Sequence, residues 1–213
     1  MNVYFVSGLG ADARIFKNIK LPEHCVPVHL PWIEPLRAES LAGYSKRMLA
    51  HVDVEQPFAL LGLSLGGMIA VEMAKLAAPQ TLILLSSIPS AGCLPKYYVV
   101  AGWLGLHRIL PVSLIKKASL VKRIFSPETR EDKRMLRQMI RDCDSGFVHW
   151  GMGAIIDWNN RDLPEIFVHI HGSADLILPM RLTKPTHMVK KGSHLMVLNK
   201  SVEINAILRS VLA

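Results

Sequence analysis

The stretch Gly62-Leu63-Ser64-Leu65-Gly66-Gly67 decides how this sequence is interpreted. It has the pattern G-x-S-x-G and lies between an apolar run that predicts a strand and a segment that predicts a helix. A serine on so tight a turn has strained backbone geometry, and its hydroxyl stands clear of the sheet. Side chains at positions 62 and 66 would collide in this turn, which explains the two glycines. The position therefore predicts that Ser64 is a nucleophile, with a helix N-terminus behind it that favours a developing anion.

The pattern alone is not specific, because glycine and serine are common enough to produce it by chance in roughly one chain in fifteen of this length. The alternative is a glycine-rich turn with an incidental serine. The placement of the motif between a strand and a helix favours the nucleophile, since the mechanism requires the serine there.

Short apolar runs alternate with helical segments on both sides of this motif. Such alternation is typical of a parallel sheet with helices on both faces. We predict an α/β fold with a doubly wound, mostly parallel sheet of about six strands. The candidate strands are Val3–Val6, Val26–Leu30, Phe58–Gly62, Leu82–Leu85, Ile166–Ile170 and Thr186–Val189, and the candidate helices are Ser40–His51, Gly66–Ala77 and Val202–Leu212.

The alternation breaks after Leu85, and residues 88–160 have a helical but irregular pattern divided by prolines. A long excursion between two strands of one sheet indicates a lid or a second small domain. Because the strands on either side continue the same sheet, we predict a core of residues 1–87 and 161–213 with a helical lid insertion at 88–160.

The formal charge is +8, and the eleven basic against three acidic residues between Lys96 and Arg141 account for the whole excess. Such a segment attracts acidic partners, but a solvated helix face is the simpler interpretation, because no nucleic-acid motif accompanies it. We expect no nucleic-acid partner and no stable membrane insertion, because no apolar run is long enough. The start of the chain resembles no secretory signal, so we expect a cytoplasmic protein. Three scattered cysteines predict neither a disulfide framework nor a zinc site.

A serine hydroxyl needs an adjacent base, and nine histidines compete for that role. His194 lies in a loop after the last predicted strand, and loops at the carboxyl ends of parallel strands converge where Ser64 lies. His169 and His171 instead flank Ile170 on a predicted strand.

Asp175 follows the preceding strand, in a position from which a carboxylate can orient His194. The alternatives are a loop-capping aspartate and a surface histidine. The order Ser, Asp, His along the chain favours the pairing, although Asp144, Asp157 or Asp162 would also be possible partners.

The chain resembles the α/β-hydrolases over nearly its whole length. The matching pieces are Ser7-Gly8-Leu9-Gly10 after the first strand, the turn at Ser64, the sequence HGSAD ending at Asp175, and GSH ending at His194. The resemblance implies a catalytic triad of Ser64, Asp175 and His194. It also implies an oxyanion hole formed by the backbone N–H groups of Leu9 and Leu65.

Three features depart from the family pattern. Ser7 stands where many members have histidine, the first two strands of the larger family sheet are absent, and the segment Leu176–Pro185 is too short for the usual helix. None of these differences removes a catalytic group, so the resemblance implies a small member of the fold.

The expected function is hydrolysis of a carboxylic ester or thioester, with a small-molecule acyl substrate and no metal or cofactor. A lyase or C–C bond hydrolase with the same triad, or a non-catalytic protein that binds a small ligand, remain alternatives. Trp103, Trp150 and Trp158 are candidates to line the substrate pocket, although packing of the lid on the core is the simpler explanation for most of them. The sequence does not indicate the oligomeric state.

Overall fold

Six short runs of mostly apolar residues form one sheet in the computed structural model, which describes residues 1–105 and 129–213. All pairs of neighbouring strands are parallel, in the order β2-β1-β3-β4-β5-β6. The predicted α/β fold with about six parallel strands is therefore confirmed. The strands are β1 Asn2–Val6, β2 Val26–His29, β3 Phe58–Leu63, β4 Thr81–Leu85, β5 Val168–Gly172 and β6 His187–Val189.

Strand β5 begins two residues later than predicted. Its pairing with β4 starts at Val168, opposite Ile83, whereas Ile166 is 83% exposed and lies before the strand. The apolar run pointed to the strand, but the register against β4 determines where it starts and ends.

Seven helices are present in the described ranges, together with short 3₁₀ turns at Ala13–Phe16, Ala91–Cys93 and Met180–Leu182. The turn at Met180–Leu182 replaces the full helix that the short segment after Asp175 could not hold. No helix within residues 1–105 or 129–213 is long and apolar enough to cross a membrane. The helices are α1 Leu41–Leu49, α2 Leu65–Leu76, α3 Lys96–Trp103, α4 Arg130–Asp142, α5 Ser145–Asp157, α6 Met196–Asn199 and α7 Ser201–Val211.

The sheet has a hydrophobic core on each face, because alternate strand residues point to opposite sides. On one face Tyr4 and Leu60 pack with α1 and α2. On the other, Phe5 and Leu61 pack with the C-terminal helices, including Leu208 of α7. This arrangement is the doubly wound architecture that the sequence predicts.

The predicted insertion leaves and rejoins the core at one place, where the N–H of Ala91 donates to the carbonyl oxygen of Asn160 at 2.7 Å. Its described helices take part in both cores: Met139 of α4 packs on one face of the sheet and Phe147 of α5 on the other. The middle of the basic segment, residues 106–128, lies outside the described residues. The boundaries of a lid at 88–160 remain a prediction.

Candidate active site

Ser64 lies between β3 and α2 in the strained conformation that its motif predicts, with φ 54° and ψ −120°. Its N–H donates to the carbonyl oxygen of Leu85 on the neighbouring strand at 3.0 Å. Its own carbonyl oxygen accepts from the hydroxyl of Ser87 at 2.7 Å. These bonds hold the strained residue from the side of β4.

The glycines around Ser64 allow close backbone contacts. A side-chain carbon on Gly62 would overlap the backbone of Gly66, and one on Gly66 would overlap the carbonyl oxygens of Val6 and Ser7 at the end of β1. The turn is therefore as tight as expected, and it lies directly against the loop that follows β1. In this strand order, the gap between β1 and β3 is the switch point at which open α/β sheets bind ligands.

His194 is the base candidate that the structure brings to Ser64. Its Nε2 lies 3.0 Å from the Ser64 Oγ, and its Nδ1 lies 2.8 Å from Oδ2 of Asp175. The carboxylate accepts at Nδ1, so that nitrogen carries the proton and Nε2 is left to accept from the serine hydroxyl. Asp144, one of the alternative partners, instead accepts from the N–H of Phe147 at the start of α5.

Direct backbone contact between two loops brings His194 and Asp175 together. A side-chain carbon on Gly172 would overlap the carbonyl oxygen of Gly192, and that oxygen accepts from the N–H of Ala174 at 2.9 Å. The hydroxyl of Ser173 accepts from the N–H of Lys191 at 2.8 Å. The loops after β5 and β6 therefore form one unit at the carboxyl edge of the sheet.

The carboxylate of Asp175 is buried and accepts hydrogen bonds at both oxygens. Oδ1 accepts from the N–H groups of Ile177 and Leu178, both at 2.9 Å, and Oδ2 accepts from His194 and from Nε2 of His171 at 3.2 Å. Burial alone would raise the pKa of Asp175. The charge of His194 and the hydrogen bonds from His171, His194 and Leu178 outweigh it and hold the pKa below its usual range. The group is therefore an anion beside His194.

Sequence reasoning passed over His171 and its neighbour His169. Both are fully buried on β5, and Nε2 of His169 lies 3.0 Å from Nδ1 of His171. Burial, followed by the charge of His171, lowers the pKa of His169 to about 3, against a smaller opposing effect of the Ser87 backbone. Their positions in the sequence could have indicated this cluster. His169 and His171 are two residues apart on a strand and therefore share a face, and His171 precedes Asp175 by four residues.

The loop after β1 carries Leu9, one of the two predicted oxyanion donors. A side-chain carbon on Gly8 would lie 3.4 Å from Cβ of Ser64, so the loop passes directly beside the serine. The Ser7 hydroxyl donates to the carbonyl oxygen of Ala11 at 3.0 Å, and this hydrogen bond closes the loop on itself. In the described part of the chain, no hydrogen bond uses the N–H of Leu9 or Leu65. Both groups remain available to an oxyanion.

The three tryptophans predicted to line the pocket lie in different environments. Trp103 is 86% exposed. Trp150 donates to the carbonyl oxygen of Glu39 at 2.8 Å, and Trp158 is buried and donates to the Glu72 carboxylate at 2.7 Å. These contacts account for Trp150 and Trp158 as packing residues, and a role of the three in substrate binding stays a prediction.

A serine hydroxyl, an imidazole with a fixed tautomer and a buried carboxylate form one hydrogen-bonded chain at the carboxyl edge of the sheet, which is an arrangement compatible with acyl transfer. Within the ranges that the structure covers, no group of three or more His, Cys, Asp or Glu side chains is placed to hold a metal ion.

Comparisons with known proteins identify the fold. No protein-family model matches the chain, and no curated protein matches it in sequence. Among solved structures, an esterase from Exiguobacterium antarcticum superposes with a TM-score of 0.74 at 17% identity, covering 100% of this chain and 91% of the esterase. A thermophilic esterase from Thermogutta terrifontis gives 0.71 at 15% identity, covering 100% and 89%. MenH from S. aureus gives 0.69 at 14% identity, covering 98% and 91%. All three are α/β-hydrolases, and identities this low show the fold alone: this chain has the α/β-hydrolase fold.

Proposed function

We propose that this protein is a serine hydrolase that cleaves a carboxylic ester or thioester through an acyl-enzyme on Ser64. The observation that carries the proposal is the hydrogen-bonded chain from Ser64 Oγ to His194 Nε2 at 3.0 Å and from His194 Nδ1 to Asp175 Oδ2 at 2.8 Å. A protein that merely binds a ligand needs no such chain. Two of the structural neighbours described above are esterases, which supports the same reaction class.

The first step is attack on the substrate carbonyl. His194 Nε2 takes the proton from Ser64 as Oγ bonds to the carbonyl carbon, and the carbonyl oxygen becomes an anion. The N–H groups of Leu9 and Leu65 donate to that oxygen. One such donor is typically worth about 3–4 kcal/mol of transition-state stabilisation.

The second step is collapse of the tetrahedral intermediate. The bond from the carbonyl carbon to the leaving oxygen or sulfur breaks, and His194 returns its proton to the leaving alcohol or thiol. Water then attacks the acyl group on Ser64 while His194 accepts a proton from it. The bond from the acyl carbon to Ser64 Oγ breaks, His194 returns its proton to Oγ, and the carboxylic acid leaves.

Asp175 acts through His194 and does not take the proton itself. Because its pKa is held below the usual range, it stays ionised throughout and stabilises the imidazolium that forms after each proton transfer. Asp175→Asn would leave the ring without a charged acceptor at Nδ1. We expect turnover to fall on the order of 10⁴-fold in that variant.

We also propose that the insertion at 88–160 roofs this site. The hydroxyl of Tyr97 on α3 donates to the carbonyl oxygen of Ile177, two residues beyond Asp175, at 2.9 Å. Gly151 on α5 lies against the side chains of Leu9 and Leu65, the two proposed oxyanion donors. The insertion thus contacts the loop after β5, which carries Asp175, and the loop after β1, which carries Leu9, as a substrate-covering element should.

The proposal is tested by labelling the purified protein with a fluorophosphonate and locating the adduct by mass spectrometry. Wild type should be labelled at Ser64, whereas Ser64→Ala and His194→Ala should not. Loss of either group typically lowers turnover on the order of 10⁶-fold. The exposed Ser210 on α7 and His149 on α5 provide matched controls, since Ser210→Ala and His149→Ala should label like wild type.

A slow ester then separates acyl transfer from other chemistry. An acyl adduct on Ser64 that turns over to free acid supports hydrolysis. A folded wild-type protein that neither labels nor forms this adduct contradicts the proposal and leaves a lyase reaction or ligand binding as the explanation of the site.

A further inference from the structure

Two buried histidines continue the hydrogen-bonded chain beyond Asp175. Nε2 of His171 lies 3.2 Å from Asp175 Oδ2 and 2.7 Å from the carbonyl oxygen of Leu178. Nδ1 of the same ring lies 3.0 Å from Nε2 of His169. All these side chains are buried, and the reaction described above makes no use of either histidine.

The positions of the acceptors determine where the protons lie. Nε2 of His171 faces two oxygen acceptors, so it carries a proton. Between His171 and His169 one proton serves two nitrogens, and Nδ1 of His169 makes no well-formed hydrogen bond in the described part of the chain, although a weak contact with the Ser87 backbone raises the pKa of the ring. His169 therefore carries its proton on Nε2 and donates to His171, whose Nδ1 accepts.

This arrangement completes the coordination of the carboxylate. Oδ1 of Asp175 accepts from two backbone N–H groups, and Oδ2 accepts from His194 and from His171. Oδ2 shares the His171 N–H with the carbonyl oxygen of Leu178, which makes the shorter contact, and these donors together favour one orientation of the carboxylate. Without His171, Oδ2 would have His194 as its side-chain donor, and the carbonyl of Leu178 in the same loop would lose its imidazole donor.

We propose that His171, oriented by His169, is a positioning residue of the active site: it holds Asp175 in the orientation that faces His194 and takes part of the carboxylate's charge. The proposal rests on the proposed function, because it assigns a role relative to the same Ser64, His194 and Asp175. Acyl transfer as such does not require either histidine.

The other ionisable groups that face Asp175 do not perform this role. Tyr97 and Tyr98 on α3 lie close enough to Asp175 for its charge to raise the pKa of both phenols. Burial, followed by Tyr97 and Asp175, raises the pKa of Tyr98 to about 12, and burial followed by Asp175 raises that of Tyr97, so both phenols stay neutral. The hydroxyl of Tyr97 donates to the carbonyl of Ile177 rather than to the carboxylate.

Two substitutions at position 171 separate the N–H donor from the bulk of the ring. His171→Gln places an amide N–H where Nε2–H was, whereas His171→Met fills a similar volume with no donor. We expect His171→Met to lower kcat by roughly tenfold to a hundredfold with little change in KM, because the reacting groups lose their alignment. The acid limb of its pH profile for kcat/KM should move to higher pH by roughly half a unit, since the less compensated carboxylate favours the imidazolium. His171→Gln should restore both properties.

A loss that is merely structural would lower kcat in both variants without moving the acid limb. That outcome, or a wild-type profile in His171→Met, would overturn the proposal. The rate of fluorophosphonate labelling at Ser64, followed against pH, gives the same readout without the natural substrate.

Nitrogen NMR of the wild-type protein with ¹⁵N-labelled histidine tests the assignment without any variant. The expected result is a proton on Nε2 of both His169 and His171, with Nδ1 unprotonated in each. A proton on Nδ1 of His171 would refute the proposed donor arrangement even in a fully active enzyme. If wild type shows no reaction at Ser64, the proposed function fails by itself, and the NMR result still decides whether His171 donates to Asp175.

Discussion

At the scale of single residues, the feature that requires explanation is the positive φ of Ser64. A non-glycine residue in a sparsely populated backbone region costs about 1–3 kcal/mol and persists only when its surroundings impose it. Here Leu85 accepts from its N–H and Ser87 donates to its carbonyl oxygen. Gly62 and Gly66 are in close backbone contact, so the turn has no space to adopt a less strained conformation.

Gly62→Ala should therefore destabilise the fold strongly. The added carbon meets backbone atoms of Gly66 and Gly67, which cannot rotate away as a side chain would. We expect the free energy of unfolding, measured by urea denaturation, to fall by about 3 kcal/mol or more. In the matched change Gly43→Ala, on α1, the new carbon has ordinary contacts at 3.4–3.8 Å, and stability should stay level or rise slightly. Equal losses in the two variants would show that the turn is not tightly packed.

At the scale of elements, α5 packs directly on the two proposed oxyanion donors. A side-chain carbon on Gly151 would lie 2.6 Å from Cδ1 of Leu9 and 3.3 Å from Cδ2 of Leu65. Both contacts are with the ends of flexible side chains, so a larger residue would displace Leu9 rather than prevent folding. We therefore expect the helix to help determine the position of the Leu9 N–H relative to Ser64.

Gly151→Ala and Gly151→Val should reduce turnover in a graded manner, the valine by roughly a hundredfold, because a displacement near 1 Å at a reacting group costs about that much. The free energy of unfolding should change far less than the activation free energy of turnover, since alanine also gains helix propensity. Ester hydrolysis and urea denaturation measured on the same preparations provide the comparison. His149→Ala, on the exposed side of α5, is the control and should keep wild-type turnover. If Gly151→Val kept wild-type turnover, α5 would not determine the position of the loop after β1 that carries Leu9.

A second element-scale contact joins the end of the insertion to α2. The buried Glu72 accepts from Trp158 at 2.7 Å and from Lys75 at 2.9 Å. Trp158→Phe leaves one carboxylate oxygen without its donor, so we expect the free energy of unfolding to fall by about 2 kcal/mol with KM unchanged. Trp103→Phe, at an exposed site, should leave stability unaltered. A raised KM with unchanged stability in Trp158→Phe would instead favour the substrate-binding role that the sequence suggested.

At the scale of the whole molecule, the sequence predicted the layers of the fold better than the interior of its site. Short apolar runs identified all six strands, although β2 is a largely exposed edge strand, and the loops after β5 and β6 located Asp175 and His194. Apolar patterns do not show that a polar ring is buried. His169 and His171 therefore passed as ordinary strand residues, although both are fully enclosed. The tryptophans were ambiguous for a related reason, because an aromatic residue in a helix can face a core, a cavity or solvent.

Burial of these groups links the stability of the whole protein to pH. The pKa of His169 is lowered to about 3 in the folded state, and an unfolded histidine titrates near 6.5. Between those values the unfolded chain binds a proton that the folded protein does not, so the free energy of unfolding falls as the pH falls through this window. Asp175 affects stability at lower pH, because its pKa is below the usual range. Its contribution to the free energy of unfolding is complete above about pH 4 and is lost only on further acidification.

The two effects can be separated by removing one titrating group and keeping its hydrogen bond. His169→Gln cannot take up a proton in this range, while its amide N–H can still donate to His171. We expect its free energy of unfolding, from urea titrations followed by circular dichroism, to depend less on pH between about 4 and 6.5 than that of wild type. Each unit of the pKa difference is worth about 1.4 kcal/mol, so the slopes should differ measurably even if the variant is less stable overall. His149→Gln replaces an exposed histidine and should run parallel to wild type. If the free energy of unfolding of His169→Gln depended on pH as that of wild type does, other groups would cause the acid sensitivity. His169 would then take up a proton in the folded protein as readily as in the unfolded chain.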